Sequence, residues 1–253
     1  MNATTAYRHV AGRPLVLNPL PDSLKNHPAV ATANLALDKV DELHQVREAV
    51  MSDPTLSPLG KSAKLAKPIS NMLRAVAGAS AVNAISGESA DKREADMLAV
   101  PELAKTDAPG AAIDVEVRQW WRALPANERL QMLQKFNESP DHQRIEAALL
   151  RSPVALADPE LLSIRDGWNR QARMNNQNDA FAIDRDRHAI AWSDAAIGHA
   201  AGIATSMAGM DRQSMLHTIV TGNNPLADGA RAFGFSQREI DGAKVFAQSE
   251  NAE

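Results

Sequence analysis

The chain has no cysteine, few aromatic residues and no excess of positive charge. Without cysteine, disulfides, thiolate metal ligands and thiol nucleophiles are excluded, and an intracellular or virion setting is more natural than a small secreted scaffold. The net charge of −4 provides no global positive field that would attract nucleic acid or anionic lipid. Aromatic residues make up only 4 % of the 253 residues. A core of aliphatic residues and alanine suits closely packed helices better than a sheet.

The sequence also lacks a secretory signal and a clear membrane span. The N-terminus has no continuous apolar segment followed by a cleavage site, so we expect no secretion by that route. Two later segments, residues 73–85 and 189–210, are unusually apolar. The first is shorter than the roughly 20 residues that cross a bilayer, and Asp194 and His199 would be costly within the second. We interpret both segments as buried helices of a bundle.

Motifs for catalysis and cofactor binding are missing as well. The sequence contains no His-Glu-x-x-His, P-loop, Gly-x-Ser-x-Gly or dinucleotide-binding fingerprint. Asp184, Asp186 and His188 resemble a metal or acid–base cluster, but on a helix Asp186 points away from the other two. We interpret this cluster as a solvated charged face, and His199 and His217 as hydrogen-bonded core histidines. We therefore predict a non-enzymatic protein with no catalytic residue, cofactor or metal.

The most informative segment that is present spans residues 226–243, Leu-Ala-Asp-Gly-Ala-Arg-Ala-Phe-Gly-Phe-Ser-Gln-Arg-Glu-Ile-Asp-Gly-Ala. Ala230, Gly234 and Ile240 have the spacing of a helix-turn-helix. The small residue lets two helices approach, the glycine forms a left-handed turn, and the branched residue packs in the core. Ser236 and Glu239 predict a capping box for the last helix.

A preceding helix turns this segment into a predicted three-helix unit over residues 211–253. Asp211 caps a helix over residues 212–221 that ends at Gly222, and Asn224-Pro225 starts the middle helix. This unit is helix-turn-helix-like in arrangement, which leaves two interpretations of its role.

One interpretation of the unit is DNA binding, and the other is protein packing. Gln237 and Arg238 would face the major groove, and Lys244 would add positive charge. Asp228, Glu239 and Asp241 offset these cations, so phosphate neutralisation would be weak. We therefore favour a packing unit and keep DNA binding as the alternative.

The remainder of the chain divides into three parts. Residues 1–27, with three prolines among apolar residues, predict an extended arm. Residues 28–105 form an N-terminal helical region, in which one helix runs from Pro28 to Met51 and a second ends at Gly87. Residues 106–110 predict a linker before a central helical domain over residues 111–210. The predicted fold is thus an all-α multi-helix bundle with an extended arm and a C-terminal trihelical unit.

The arm and a tryptophan pair supply the candidate partner-binding residues. The arm either packs on its own domain or reaches a neighbouring subunit, and the sequence leaves both open. Adjacent residues on a helix point about 100° apart, so one ring of Trp120-Trp121 can lie at the edge of the core and contact a partner; two core tryptophans are the preferred alternative. The candidates are Leu15, Val16, Leu17, Leu20 and Trp121.

Residues 120–133 (Trp-Trp-Arg-Ala-Leu-Pro-Ala-Asn-Glu-Arg-Leu-Gln-Met-Leu) and 146–153 (Glu-Ala-Ala-Leu-Leu-Arg-Ser-Pro) form a helix–proline–helix pattern. The pattern resembles that of proteins encoded in the structural gene clusters of tailed phages. The resemblance implies a virion or assembly component, such as an internal capsid, ejection or connector-associated protein. We expect homo- or hetero-oligomeric packing with other protein subunits, in the virion or the host cytoplasm. DNA binding and membrane activity after ejection are the alternatives.

Overall fold

The computed structural model describes residues 6–138, 142–152, 158–221 and 227–250. Within these ranges nine α-helices and one two-stranded antiparallel sheet confirm the predicted all-α multi-helix class. Gly222 and the Asn224-Pro225 helix start lie outside the described residues. The strands are β1 (Ala6–Val10) and β2 (Arg13–Leu17), and the α-helices are α1 (Pro28–Ser52), α2 (Pro58–Leu98), α3 (Ala108–Ala123), α4 (Ala126–Glu138), α5 (Gln143–Leu150), α6 (Asp158–Asn175), α7 (Gln177–Ala208), α8 (Arg212–Val220) and α9 (Gln237–Glu250).

The predicted N-terminal arm is a β-hairpin that packs on its own unit. Ala11 and Gly12, with φ of 50° and 73°, form the two-residue turn that the right-handed twist of a hairpin favours. The indole Nε1 of Trp192 in α7 donates to the carbonyl oxygen of Asn18 at 3.0 Å. The backbone N–H of Ala11 donates to Asp41 of α1 at 2.6 Å. Of the two alternatives for the arm, the structure shows the packed one.

Helix α1 confirms the predicted bounds within one residue, whereas α2 does not end at Gly87. Instead α2 is 41 residues long and runs from Pro58 to Leu98. An interior glycine costs a helix only about 1 kcal/mol relative to alanine. Contacts beyond Gly87 offset that cost: Arg173 pairs with Glu94 at 2.7 Å, and the indole of Trp168 donates to the carbonyl of Leu98 at 2.9 Å.

The helices form two compact units whose limits differ from the predicted domains. One unit combines Met1–Ala90 with Asp184–Glu253, and the other is Asp91–Ile183. The predicted linker at residues 106–110 is the start of α3, where the side chain of Asp107 accepts the Gly110 N–H at 2.9 Å. The C-terminal helices share the core of the first unit instead of standing alone. The second unit has its own core of Trp121, Leu133, Phe136, Leu149 and Ile164.

In the first unit, the C-terminal segment meets α2 at Gly229. A Cβ at position 229 would lie 1.7 Å from the carbonyl oxygen of Ala77. The two backbones are therefore in direct contact, which only glycine permits. Arg74, one turn earlier in α2, donates to the carbonyl of Thr221 at 2.5 Å. These contacts fix where α8 and the following residues lie on α2.

We expect Gly229→Ala to lower the free energy of unfolding by about 3 kcal/mol, because the new methyl group must displace backbone. Gly87→Ala is the matched control, since a Cβ there meets nothing within 4 Å. It should raise the free energy of unfolding by about 0.5–1 kcal/mol through helix propensity. Chemical denaturation followed by circular dichroism measures both changes. Small changes of the same sign in the free energy of unfolding of both variants would contradict the backbone contact at Gly229.

The second unit contains a buried ion cluster between α3 and α5. Asp114 is 2 % exposed, and its carboxylate accepts from Arg151 at 2.8 and 3.0 Å and pairs with Arg144 at 3.0 Å. Burial alone would raise the pKa of Asp114. The Arg151 hydrogen bond and the charges of Arg151, Arg144 and Arg118 outweigh burial and lower the pKa below its usual value.

We expect Asp114→Asn to lower the free energy of unfolding by about 3 kcal/mol near neutral pH, because Arg151 loses a buried partner. Since the pKa of Asp114 is lower in the folded state, its contribution is present above the unfolded pKa and is lost as the pH falls through the folded pKa. The difference from wild type should therefore shrink in acid. Denaturant titrations at several pH values measure it. The exposed Asp166→Asn is the control, with an expected change within about 0.5 kcal/mol.

Candidate functional site

The C-terminal helices form through the local signals that the sequence predicts. Asp211 caps α8 by accepting the Ser214 N–H at 2.9 Å. Gly234 has a φ of 76° and forms the left-handed turn before α9. The Ser236 N–H donates to Glu239 at 2.7 Å, and the Glu239 N–H donates back to the Ser236 hydroxyl at 3.4 Å. The predicted turn and capping box are confirmed. The middle element is a 3₁₀ helix over Asp228–Phe233.

A groove with a volume of about 690 Å³ lies between α8 and α9. Its floor is apolar and small-residue surface, and its rim is polar. The floor consists of the buried Leu216 and Phe235, and Gly242 and Ala243 line the α9 side. The polar lining residues are Arg212, Gln213, His217 and Glu239. This volume lies within the range of ligand-binding clefts, and the lining mixes apolar surface with a few polar groups as such clefts do.

The charges on the rim are balanced within the chain. The Arg212 guanidinium lies 4.2 Å from the centre of the Phe235 ring and pairs with Glu239 at 3.1 Å. The hydrogen bond from Arg212, followed by those from Ser236, lowers the pKa of Glu239 to about 2. Glu239 is therefore ionised at any physiological pH, and its charge offsets that of Arg212.

The three candidate DNA-contacting residues do not form a basic surface. The Gln237 side chain accepts from Arg231 and donates to Asp241 at 2.7 Å. Lys244 pairs with Asp228 at 3.0 Å. Arg238 is exposed and, among the residues that the structure describes, forms no ion pair. With one of its two cations already paired, α9 has little capacity to neutralise phosphate.

The candidate partner-binding residues are mostly in the core, which corrects the prediction. Leu15 and Leu17 are buried because β2 alternates its side chains between core and solvent. Leu20 packs against the same core, and only Val16, at 62 % exposure, faces solvent.

The tryptophan pair is divided between core and surface, instead of forming the two core rings that the sequence analysis preferred. Trp121 is 1 % exposed and stacks on Phe136, with ring centroids 5.8 Å apart. Its indole donates to Glu160 at 3.2 Å, so both its apolar ring and its polar N–H are satisfied inside the unit. Trp121 therefore lies in the core of this unit, and Trp120 is the ring at the surface, 39 % exposed.

The remaining predicted features show no functional cluster. Asp184 and His188 are exposed, as predicted, and Asp186 lies 3.6 Å from Nε2 of His27. His217 is on the groove rim instead of in a core, and the buried Nε2 of His199 has no hydrogen-bond partner. In the described ranges no group of three or more residues is arranged to hold a metal ion. No described helix is long and apolar enough to cross a membrane.

Glu146 in α5 is a titratable group that the sequence reasoning missed. The residue is 1 % exposed, its Oε1 has no hydrogen-bond partner, and burial raises the pKa of its carboxyl to about 7. Its spacing could have predicted its burial, because Glu146 lies three residues before the buried Leu149 and so shares that face of the helix.

Because the pKa of Glu146 is higher folded than unfolded, its contribution to stability is fully present below the unfolded pKa and is lost as the pH rises through about 7. We expect Glu146→Gln to remove this pH dependence and to gain on the order of 3 kcal/mol relative to wild type between pH 5 and pH 8. Denaturant titrations at both pH values measure the slope. The exposed Glu116→Gln in α3 is the control. Parallel pH profiles for wild type and Glu146→Gln would rule out the effect.

No known protein family, curated protein or solved structure matches the chain. The proposal for its function therefore rests on the geometry of its own residues.

Proposed function

We propose that the protein is a non-enzymatic structural or assembly protein that works by packing against other protein subunits. The groove between α8 and α9 is the observation that carries this proposal. Leu216 and Phe235 give it an apolar floor, and the Arg212–Glu239 pair leaves its rim without net charge. A recessed apolar surface with few free charges suits a protein partner, because the centres of protein interfaces are depleted in charged residues.

The pairing of charges argues against DNA binding, and the small exposed apolar surface of α9 argues against membrane activity. Non-specific DNA affinity comes mainly from cations that neutralise phosphates, and two of the basic side chains of this unit, Arg212 and Lys244, are already paired with carboxylates. A membrane-active role would need a large exposed apolar face on a basic helix. Val245 is the one large apolar side chain of α9 that is exposed among those the structure describes.

The setting that we propose is a tailed-phage particle, with the protein as an internal, ejection or connector-associated component. The support is the helix–proline–helix pattern of residues 120–133, which forms the end of α3, a turn at Pro125 and α4. In this setting the chain is made in the host cytoplasm and is incorporated into the virion together with other subunits.

The test is co-production of the tagged full-length chain with the products of its neighbouring genes. We expect a defined complex to co-purify and to be lost in Gly242→Leu, because leucine fills the groove from a position where a Cβ meets nothing within 4 Å. Gly202→Leu is the matched control, since Gly202 in α7 is also exposed with open space around its Cβ position. The control should retain the complex.

Two outcomes would overturn the proposed function. One is a chain that stays monomeric and binds none of the co-produced proteins. The other is retention on duplex DNA that falls with salt and is lost when Arg238→Ala and Lys244→Ala are combined, which would establish the DNA-binding alternative.

A further inference from the structure

Helix α9 has an exposed face that the fold of the chain does not use. Arg238, Asp241, Gly242 and Val245 follow one another at intervals of three, one and three residues and so lie on one side of the helix. All four are exposed, and Val245 is 68 % exposed. This face borders the groove, because Gly242 belongs to both.

Among the residues that the structure describes, no contact requires a glycine at position 242. A Cβ at this position meets nothing within 4 Å, so alanine would fit. Glycine inside a helix is less favourable than alanine. A second helix packed along this face would provide the reason, since glycine allows another chain to approach the helix closely.

The two charged residues on this face lack partners of opposite charge. Neither Arg238 nor Asp241 forms an ion pair in the part of the chain that the structure describes. Asp241 accepts a hydrogen bond only from the neutral amide of Gln237, at 2.7 Å. A positive and a negative charge, three residues apart on one helix face, are self-complementary when two such helices run antiparallel.

We propose that two copies of this chain associate through this face of α9, with the helices antiparallel about a two-fold axis between residues 239 and 240. In that register Arg238 of each copy is level with Asp241 of the other, which gives two reciprocal ion pairs. Val245 of each copy then lies just beyond Gln237, where α9 of the other copy begins. The contact is isologous, as two-fold interfaces are. It rests on the proposed function and specifies a second copy as the partner at the edge of the groove, where Gly242 belongs to both surfaces.

The experiment is sedimentation equilibrium of the purified full-length chain and its charge variants over a range of concentrations. Wild type should form a dimer. Arg238→Asp and Asp241→Arg place like charges opposite each other in a dimer of identical chains, so each should weaken dimerisation at least tenfold. An equimolar mixture of the two variants should form a heterodimer, because opposite charges then align again. The variant with both substitutions should recover the homodimer.

The mixture separates this geometry from a general effect of changed charge. All the substituted side chains are exposed, and circular dichroism checks that each variant is folded. A wild-type chain that is monomeric throughout would overturn the proposal, as would single variants that dimerise like wild type or a mixture that does not recover. A monomeric chain that still forms a Gly242→Leu-sensitive complex with a neighbouring gene product would overturn the second copy as occupant while supporting the proposed function.

Discussion

The backbone contact between Gly229 and Ala77 determines the position of the whole C-terminal segment. The chain approaches α2 so closely there that no side chain fits between them. Arg74 holds the end of α8 to the same helix through the carbonyls of Thr218 and Thr221. Arg212 joins α8 to α9 directly, through its pair with Glu239 and its hydrogen bond to the carbonyl of Gly234. The groove therefore lies between two helices that contact each other, and α2 contacts the chain between them at Thr221 and Gly229.

Local neutralisation of charge is the second constraint, and it decides what the surface can recognise. Arg8 with Asp38 and Asp41, Arg212 with Glu239 and Lys244 with Asp228 are pairs at or near the surface. Such pairs contribute only about 0–1 kcal/mol each to stability. Their larger effect is on binding, because a guanidinium or ammonium that already faces a carboxylate has little attraction left for phosphate. Arg238 and Asp241 of α9 have no such ion pair among the described residues, so their charges are available to a binding partner.

Local rules predicted the local features well, because caps and turns depend on residues within one helical turn. Asp211, Gly234 and the Ser236–Glu239 box have their predicted roles for that reason. Two predictions that depend on distant contacts differ from the structure. Gly87 does not end α2, since the cost of glycine is smaller than the gain from contacts made further along the chain. Trp121 and Trp120 could not be assigned to core and surface, because the choice depends on where α4 and α6 place Phe136 and Glu160. The groove was not predicted, because its shape depends on how α8 and α9 pack against each other.

Exposed small residues alone do not identify an interface in this protein. Gly198 and Gly202 lie four residues apart on α7, and both are exposed with open space at the Cβ position, as Gly242 is. Between residues 189 and 208, however, α7 has no exposed large apolar side chain. A helix crossing those glycines would gain close approach but would bury little apolar surface, and burial of apolar surface is the main source of association energy. On α9 the open glycine lies next to an exposed valine, an apolar groove floor and two unpaired opposite charges. The glycine alone would not favour α9 over α7. Together, the apolar surface would supply contact area to a second chain, and the two charges would set its direction and register.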